Sequence, residues 1–271
     1  MWWKKFFLCL LVLPMAVWAA EMPAGPAPHY DVFWSRDMPV TFLAAFTACF
    51  GSYRYSQMET PEAGDYRDVS ELLPWDRPVA GRYNETVDRA SKWAAVLGVA
   101  PLALAGYSYG VGDVTGQEVA GFSLMFAQAL ALQSGLNLMV RSMEFWPRPY
   151  IYAEDGAGAR KAKSARGEAY GSFFSGHASA AFTVAVFTGE WFSEIYPQSP
   201  YRGVVWALAL SAAGLEGVLR VAAGKHFWSD VAAGALVGSG VSLAVIQVHK
   251  QRSDRVGLWA GLGSVGVAVR I

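Results

Sequence analysis

The sequence predicts an all-α protein, a bundle of five to six helices with its functional site at one end. Three observations lead there. Long uncharged runs rich in Ala and Gly cover Trp93 to Gly112, Val119 to Val140 and Val231 to Val248. Shorter ones cover Ala178 to Gly189 and Gly203 to Leu215. Sustained β-branched runs are short, so the lengths favour helices over strands. The residues with chemical potential fall at the junctions between these runs. In an up-and-down bundle such junctions gather at one end.

Taken in order, the chain opens with Lys4 and Lys5, a short apolar stretch from Phe6 to Ala20, and small residues around Ala19. Residues 1–19 therefore read as a bacterial-type secretory signal, cleaved after Ala19. An uncleaved anchor is the alternative, although the run is shorter than the ~20 residues a span needs. Residues 20–90 form a segment before the core. Its start carries Pro23, Pro26 and Pro28 and reads as a linker. Met38 to Tyr53 is uncharged and aromatic-rich, one expected helix. Residues 54 to 90 are polar and broken by Pro61, Pro74 and Pro78, placed to wrap the surface or order a substrate entrance. Residues 91–250 form the helical catalytic domain. Within it the polar loop from Tyr150 to Ser172 carries Arg160, Lys161, Lys163 and Arg166. It is either a solvated loop or a basic lid. In the tail, residues 251–271, Gly263-Ser264 lies between β-prone stretches that suit a small hairpin.

Composition narrows the function. With 271 residues, 54% of them hydrophobic, the chain buries one sizeable core or two modest ones. Twenty-two basic residues balance 22 acidic ones, which points away from nucleic acid as a partner. Cys9 lies in the expected signal, so Cys49 has no mate and no disulfide framework exists. The four histidines and two cysteines show no metal-ligand spacing, and no cofactor is implied.

Three blocks carry the chemistry. Arg220 is followed by His226 and then Asp230. With a helix starting near Phe227, His226 and Asp230 lie one turn apart on one face. The acid then holds one imidazole nitrogen as N–H and leaves the other as a directed lone pair. Arg141 and Arg148-Pro149 come upstream, and Phe174-Ser175-Gly176-His177 lies between. Arginine forks suit phosphate oxygens, and Ser175 with the N–H groups near Gly176 at a helix start adds anion donors.

Together these blocks resemble the signature of the type 2 phosphatidic acid phosphatase superfamily, which includes lipid phosphatases, non-specific acid phosphatases, glucose-6-phosphatases and vanadium haloperoxidases. Its pattern is Lys-x6-Arg-Pro, Pro-Ser-Gly-His and Ser-Arg-x5-His-x3-Asp. This chain has Arg141 for the Lys, Phe174 for the Pro and Leu219 for the Ser. Every other position is present in order. The resemblance, over about residues 90 to 250, implies His226 as nucleophile, His177 as general acid and Asp230 as the group orienting His226. Arg141, Arg148, Ser175, Gly176 and Arg220 would bind the phosphate, with no metal required.

The expected function is a metal-independent phosphatase of the bacterial cell envelope. Its substrate would be a phosphomonoester or pyrophosphate, most simply of a lipid: phosphatidate, phosphatidylglycerophosphate, a polyprenyl pyrophosphate or lipid A. A soluble periplasmic acid phosphatase acting on small organic phosphates is the runner-up. A vanadate haloperoxidase and a non-catalytic phosphate-binding protein stand behind it. The protein is expected either in the inner membrane, with a periplasm-facing site, or free in the periplasm. With an exported N-terminus, the membrane form requires that Met38 to Tyr53 not cross. It also places the basic loop outside, against the positive-inside rule.

Overall fold

The computed structural model describes residues 34–61, 68–93, 98–143, 146–250, 256–261 and 264–269. The expected signal and the linker before Trp34 lie outside them. Eight α-helices occur among the described residues, against the five to six expected: α1 (Trp34–Ser56), α2 (Glu85–Trp93), α3 (Ala100–Gly110), α4 (Gly116–Arg141), α5 (Gly156–Lys163), α6 (Gly176–Ile195), α7 (Arg202–Ala222) and α8 (Trp228–His249). The extra ones are short. α2 and α5 come from the two polar stretches whose charge hides any apolar stripe. The run from Trp93 to Gly112 is divided, since α2 ends at Trp93 and α3 takes Pro101 into its first turn, where a missing N–H costs nothing.

Local chemistry fixes the helix starts. Thr115 caps α4: its Oγ1 accepts from Glu118 N at 3.3 Å, and the Glu118 carboxylate accepts from Thr115 N at 2.7 Å, a reciprocal box that satisfies two orphan donors. Ser175 caps α6 by accepting from Ala178 N at 3.3 Å. In the tail, Val256–Gly261 (β1) pairs antiparallel with Ser264–Val269 (β2).

Helix directions follow from pairs in contact. α1 lies along α4 and parallel to it, since Asp37 meets Gln128, Gly51 meets Leu138 and Tyr55 meets Arg141. α7 runs antiparallel to α6, with Trp206 Nε1 donating to Ser193 Oγ at 3.0 Å. α6 and α8 run parallel. A Cβ on Gly234 would stand 2.5 Å from Ser175 O, and one on Gly238 2.1 Å from Ser179 O. This small-xxx-small pair lets two backbones touch, the packing that helices in lipid favour. α1, α4 and α7 therefore end where α6 and α8 begin, and all three sequence blocks meet at that end.

The far half of the bundle is filled by Phe122, Met125, Phe126, Phe187, Trp191 and Ile246, with Phe122 and Trp191 rings 4.3 Å apart. Burial of such rings contributes about 1.5–3 kcal/mol each. At the site end, Leu72 and Val79 pack on Val221 and Phe227. Part of the polar stretch before α2 thus straps the base of the site.

The outer surface is apolar as well. α4, α7 and α8 are long and apolar enough to cross a membrane. Phe42 on α1, Leu208 on α7 and Leu236 on α8 are 72%, 67% and 76% exposed. Phe42, Phe46 and Phe50 stack along α1 with centroids 6.4 and 5.7 Å apart. Apolar faces of this extent mark contact with membrane or partner rather than with water.

Candidate active site

His226 stands in the turn between α7 and α8, and Asp230 in the first turn of α8. His226 Nδ1 is 3.4 Å from Asp230 Oδ2 and 3.3 Å from Ser172 Oγ. Ser172 Oγ donates to the same Asp230 oxygen at 2.7 Å, and Phe227 N donates to it at 2.9 Å. Ser172 has committed its proton to the carboxylate, so both neighbours of Nδ1 are acceptors. Nδ1 is therefore the N–H, and Nε2 carries the lone pair. Burial of the 2%-exposed His226, followed by the charges of Arg148, Arg220 and Arg141, pushes its pKa well below the usual histidine range. The ring stays neutral, as attack requires.

The turn that delivers His226 is closely fitted. Gly224 has φ +68°, and a Cβ there would stand 1.9 Å from Arg82 O. Only glycine accepts both conditions. Lys225 N donates to Arg220 O at 3.0 Å, tying the turn to the end of α7. At α8, Asp76 receives Ser229 N at 3.2 Å and Ser229 Oγ at 2.6 Å. A carboxylate brought from outside the helix thus meets its orphan N–H groups.

The three arginines converge on the two histidines: the charges of all three act on both His177 and His226. Arg220 is 2% exposed. Its Nη1 donates to Asp88 Oδ1 at 3.3 Å and to Ser91 Oγ at 2.7 Å. Arg141 closes α4 and donates to Gly171 O and Tyr55 OH, with its guanidinium 4.4 Å from the Tyr55 ring centre. Part of its fork is thus consumed by the scaffold, a bidentate use that a lysine in this position would not support. Arg148 Nε is buried without a hydrogen-bond partner, as expected of a group waiting for an anion.

The structure brings the remaining sequence candidates to the same place. Ser175 is buried, and its hydroxyl accepts as the cap of α6. Gly176 lets α6 start against Asn137, whose Oδ1 would lie 2.7 Å from any Cβ. His177 sits in the first turn of α6, exposed. Burial and the charges of Arg220, Arg148 and Arg141 lower its pKa to about 3. Solvent reaches the ring and screens that pull. Phe174, standing where the family has proline, fills the core at 3% exposure, and its carbonyl accepts from Asn137.

Sequence reasoning missed the residues that hold the site in place. Ser172 lies at the edge of the basic loop and carries no motif. Asp88 and Ser91 sit three residues apart on α2, facing inward. That spacing is their only signal, and it does not reveal a partner in α7. Lys161 belongs to α5, so the basic loop is partly helical.

Comparison with known proteins completes the description. No curated protein and no solved structure matched the chain. The family described as the PAP2 superfamily matches residues 120–254, about half of the chain, and that stretch contains every expected site residue from Arg141 to Asp230. Membership in that family supports a phosphatase-type function and implies a phosphate-containing substrate. With the histidine, arginine and aspartate positions of that signature gathered at one end of a helical bundle, this chain belongs to the PAP2 superfamily.

Proposed function

We propose that the protein is a membrane-associated lipid phosphatase of the bacterial envelope that works through a phosphohistidine at His226. The observation carrying this reading is the contact of His226 Nδ1 with both Ser172 and Asp230, which leaves Nε2 free within reach of three arginine charges. The outward apolar faces of α1, α7 and α8 support a lipid as the rest of the substrate. The class includes phosphatidate, phosphatidylglycerophosphate, polyprenyl pyrophosphate and lipid A. The active end is assigned to the periplasm.

In the first step the Nε2 lone pair bonds to phosphorus, and the bond from phosphorus to the leaving oxygen breaks. His177 gives its proton to that oxygen. In the second step water attacks the phosphohistidine, the P–N bond breaks, and the water proton returns to His177. Arg141, Arg148 and Arg220 hold the equatorial oxygens, where charge accumulates. The bound phosphate also answers the low pKa of His177, because its negative charge offsets the arginines and restores the proton to the ring.

The test is phosphate release from lipid phosphates and pyrophosphates in detergent, with EDTA present, by wild type and His226→Ala. Turnover by the wild type, its loss in the variant, and an acid-labile phosphoenzyme on Nε2 are the expected results. Equal rates in the two proteins sink the mechanism.

A further inference from the structure

The last turns of α4 reach across to the segment that leads into α6. Arg141 Nε donates to Gly171 O at 2.5 Å, and one turn earlier Asn137 Nδ2 donates to Phe174 O at 2.5 Å. The glycines at the two ends of this segment lie against the same helix. A Cβ on Gly171 would stand 2.5 Å from Arg141 O, and one on Gly176 2.7 Å from Asn137 Oδ1. The N–H groups of the segment are held elsewhere: Ser172 N donates to Trp146 O at 2.7 Å and Ser175 N to Asp230 O at 2.9 Å.

Asn137 belongs to no signature block, and the chemistry does not touch it. Its place is costly. Asparagine is a poor residue for a helix interior, and this one is 4% exposed, where an amide must find partners. A leucine would suit both the helix and the burial. The amide is explained by what it holds. Phe174 stands where the signature has proline, so the turn before Ser175 lacks the fixed φ that a ring supplies. The Asn137 bond fixes the same turn from outside, through its carbonyl. Two residues later α6 begins, with Gly176 first, His177 second, and Ser175 Oγ accepting from Ala178 N at 3.3 Å. A shift at Phe174 thus carries straight into the backbone that aims the His177 ring.

We propose that Asn137 is a positioning residue for His177: its amide fixes the entry of α6 and so sets where the general acid meets the leaving oxygen. The proposal rests on the phosphatase reading and deepens it. In the first step the bond from phosphorus to the leaving oxygen breaks as His177 gives that oxygen its proton. Asn137 itself touches neither. Displacing a reacting group by about 1 Å costs up to about a hundredfold in rate, and proton donation matters most when the leaving oxygen is strongly basic. Asn137 therefore governs substrates with alkyl leaving groups, the kind a lipid phosphate has, more than those with activated aryl ones.

The test is a leaving-group series. The quantity read is kcat/KM, which reports phosphoryl transfer to the enzyme, for 4-nitrophenyl phosphate, phenyl phosphate and a short-chain phosphatidate in detergent. The variants are Asn137→Leu, which keeps volume and helix preference, His177→Ala and the two combined. Asn137→Leu should lower the phosphatidate value about tenfold or more and the 4-nitrophenyl value less than about threefold, whereas a general loss of folded enzyme lowers both alike. Added to His177→Ala, it should cost less than about twofold further, because the group it positions is gone. In parallel, amide hydrogen exchange in Asn137→Leu should rise about tenfold over residues 173 to 178 and stay within about twofold along α8. Equal losses across the series, additivity with His177→Ala, or unchanged exchange in the segment overturns the role of Asn137. If wild type turns over none of the three substrates, the phosphatase reading fails, and exchange alone decides whether Asn137 fixes the backbone of His177.

Discussion

Asp88 on α2 and Arg220 at the end of α7 are separated by 132 residues in the chain and joined by a buried 3.3 Å contact. The acid comes from the polar stretch expected to wrap the surface or order a substrate entrance, and it ties down an arginine of the candidate site. Removing one partner of such a pair leaves the other charged in a dry place, at about 3 kcal/mol or more. Asp88→Ala is expected to lower the unfolding temperature and to reduce kcat/KM beyond what instability explains. Thermal unfolding and lipid phosphatase rates on the same preparation check both.

Ser172 acts on His226 both directly, at 3.3 Å from Nδ1, and through Asp230. Ser172→Ala removes a 2.7 Å donor to the carboxylate and lets the imidazole turn. A loss of about tenfold in kcat with KM nearly unchanged is expected, the signature of a group that orients rather than binds. Threonine at the same position should recover part of the rate. A change confined to KM would remove Ser172 from this role.

His226 and Lys225 both contribute to the pH dependence of stability. His226 has its pKa lowered well below 6.5 in the fold. As pH falls through 6.5 the unfolded histidine takes a proton that the folded one refuses, so stability declines on the acid side. Lys225 is lowered from 10.5 to about 7. Between about pH 7 and 10.5 the unfolded chain holds a proton that the folded chain does not, so stability rises with pH across that window. Lys225→Met should reduce this alkaline rise in an unfolding-temperature profile, and His226→Ala should reduce the acid decline, leaving the part due to His177.

Gly224 tests the turn itself. Alanine there must adopt φ +68° and place a methyl carbon 1.9 Å from the Arg82 carbonyl, a strain of about 1–3 kcal/mol before any backbone shift. Gly224→Ala should cost stability and also lower kcat, because the same turn carries His226. Stability lost without any change in rate would mean that the strap yields and the turn does not.

The site was more legible in the sequence than its support. Arg141, Arg148, His177, Arg220, His226 and Asp230 announce themselves by residue type and spacing, and the helix junctions put them at one end. Asp88, Ser91 and Ser172 gave no such sign, because each acts on a partner remote in the chain. Helix ends were obscured for a related reason. The uncharged run from Gly203 stopped at Leu215, yet α7 continues to Ala222, carrying Glu216 and Arg220 into buried positions that a reading by charge treats as an end. The aromatic run from Met38 to Tyr53 was legible as a helix, but its alignment with α4 was not, since Gly51 and Gly135 reveal their contact only when brought together.

That alignment has a topological consequence. Because α1 and α4 point the same way, α1 enters the bundle at the end opposite His226. In a bundle that crosses the bilayer, whichever compartment holds Trp34 is the one that His226 does not face. A periplasmic catalytic end then demands a cytoplasmic Trp34, which an exported leader cannot deliver. Export of Trp34 and a periplasmic His226 coexist only in a bundle seated on the membrane rather than through it. A tag read at Trp34 therefore reports the compartment of the chemistry from the other end of the molecule.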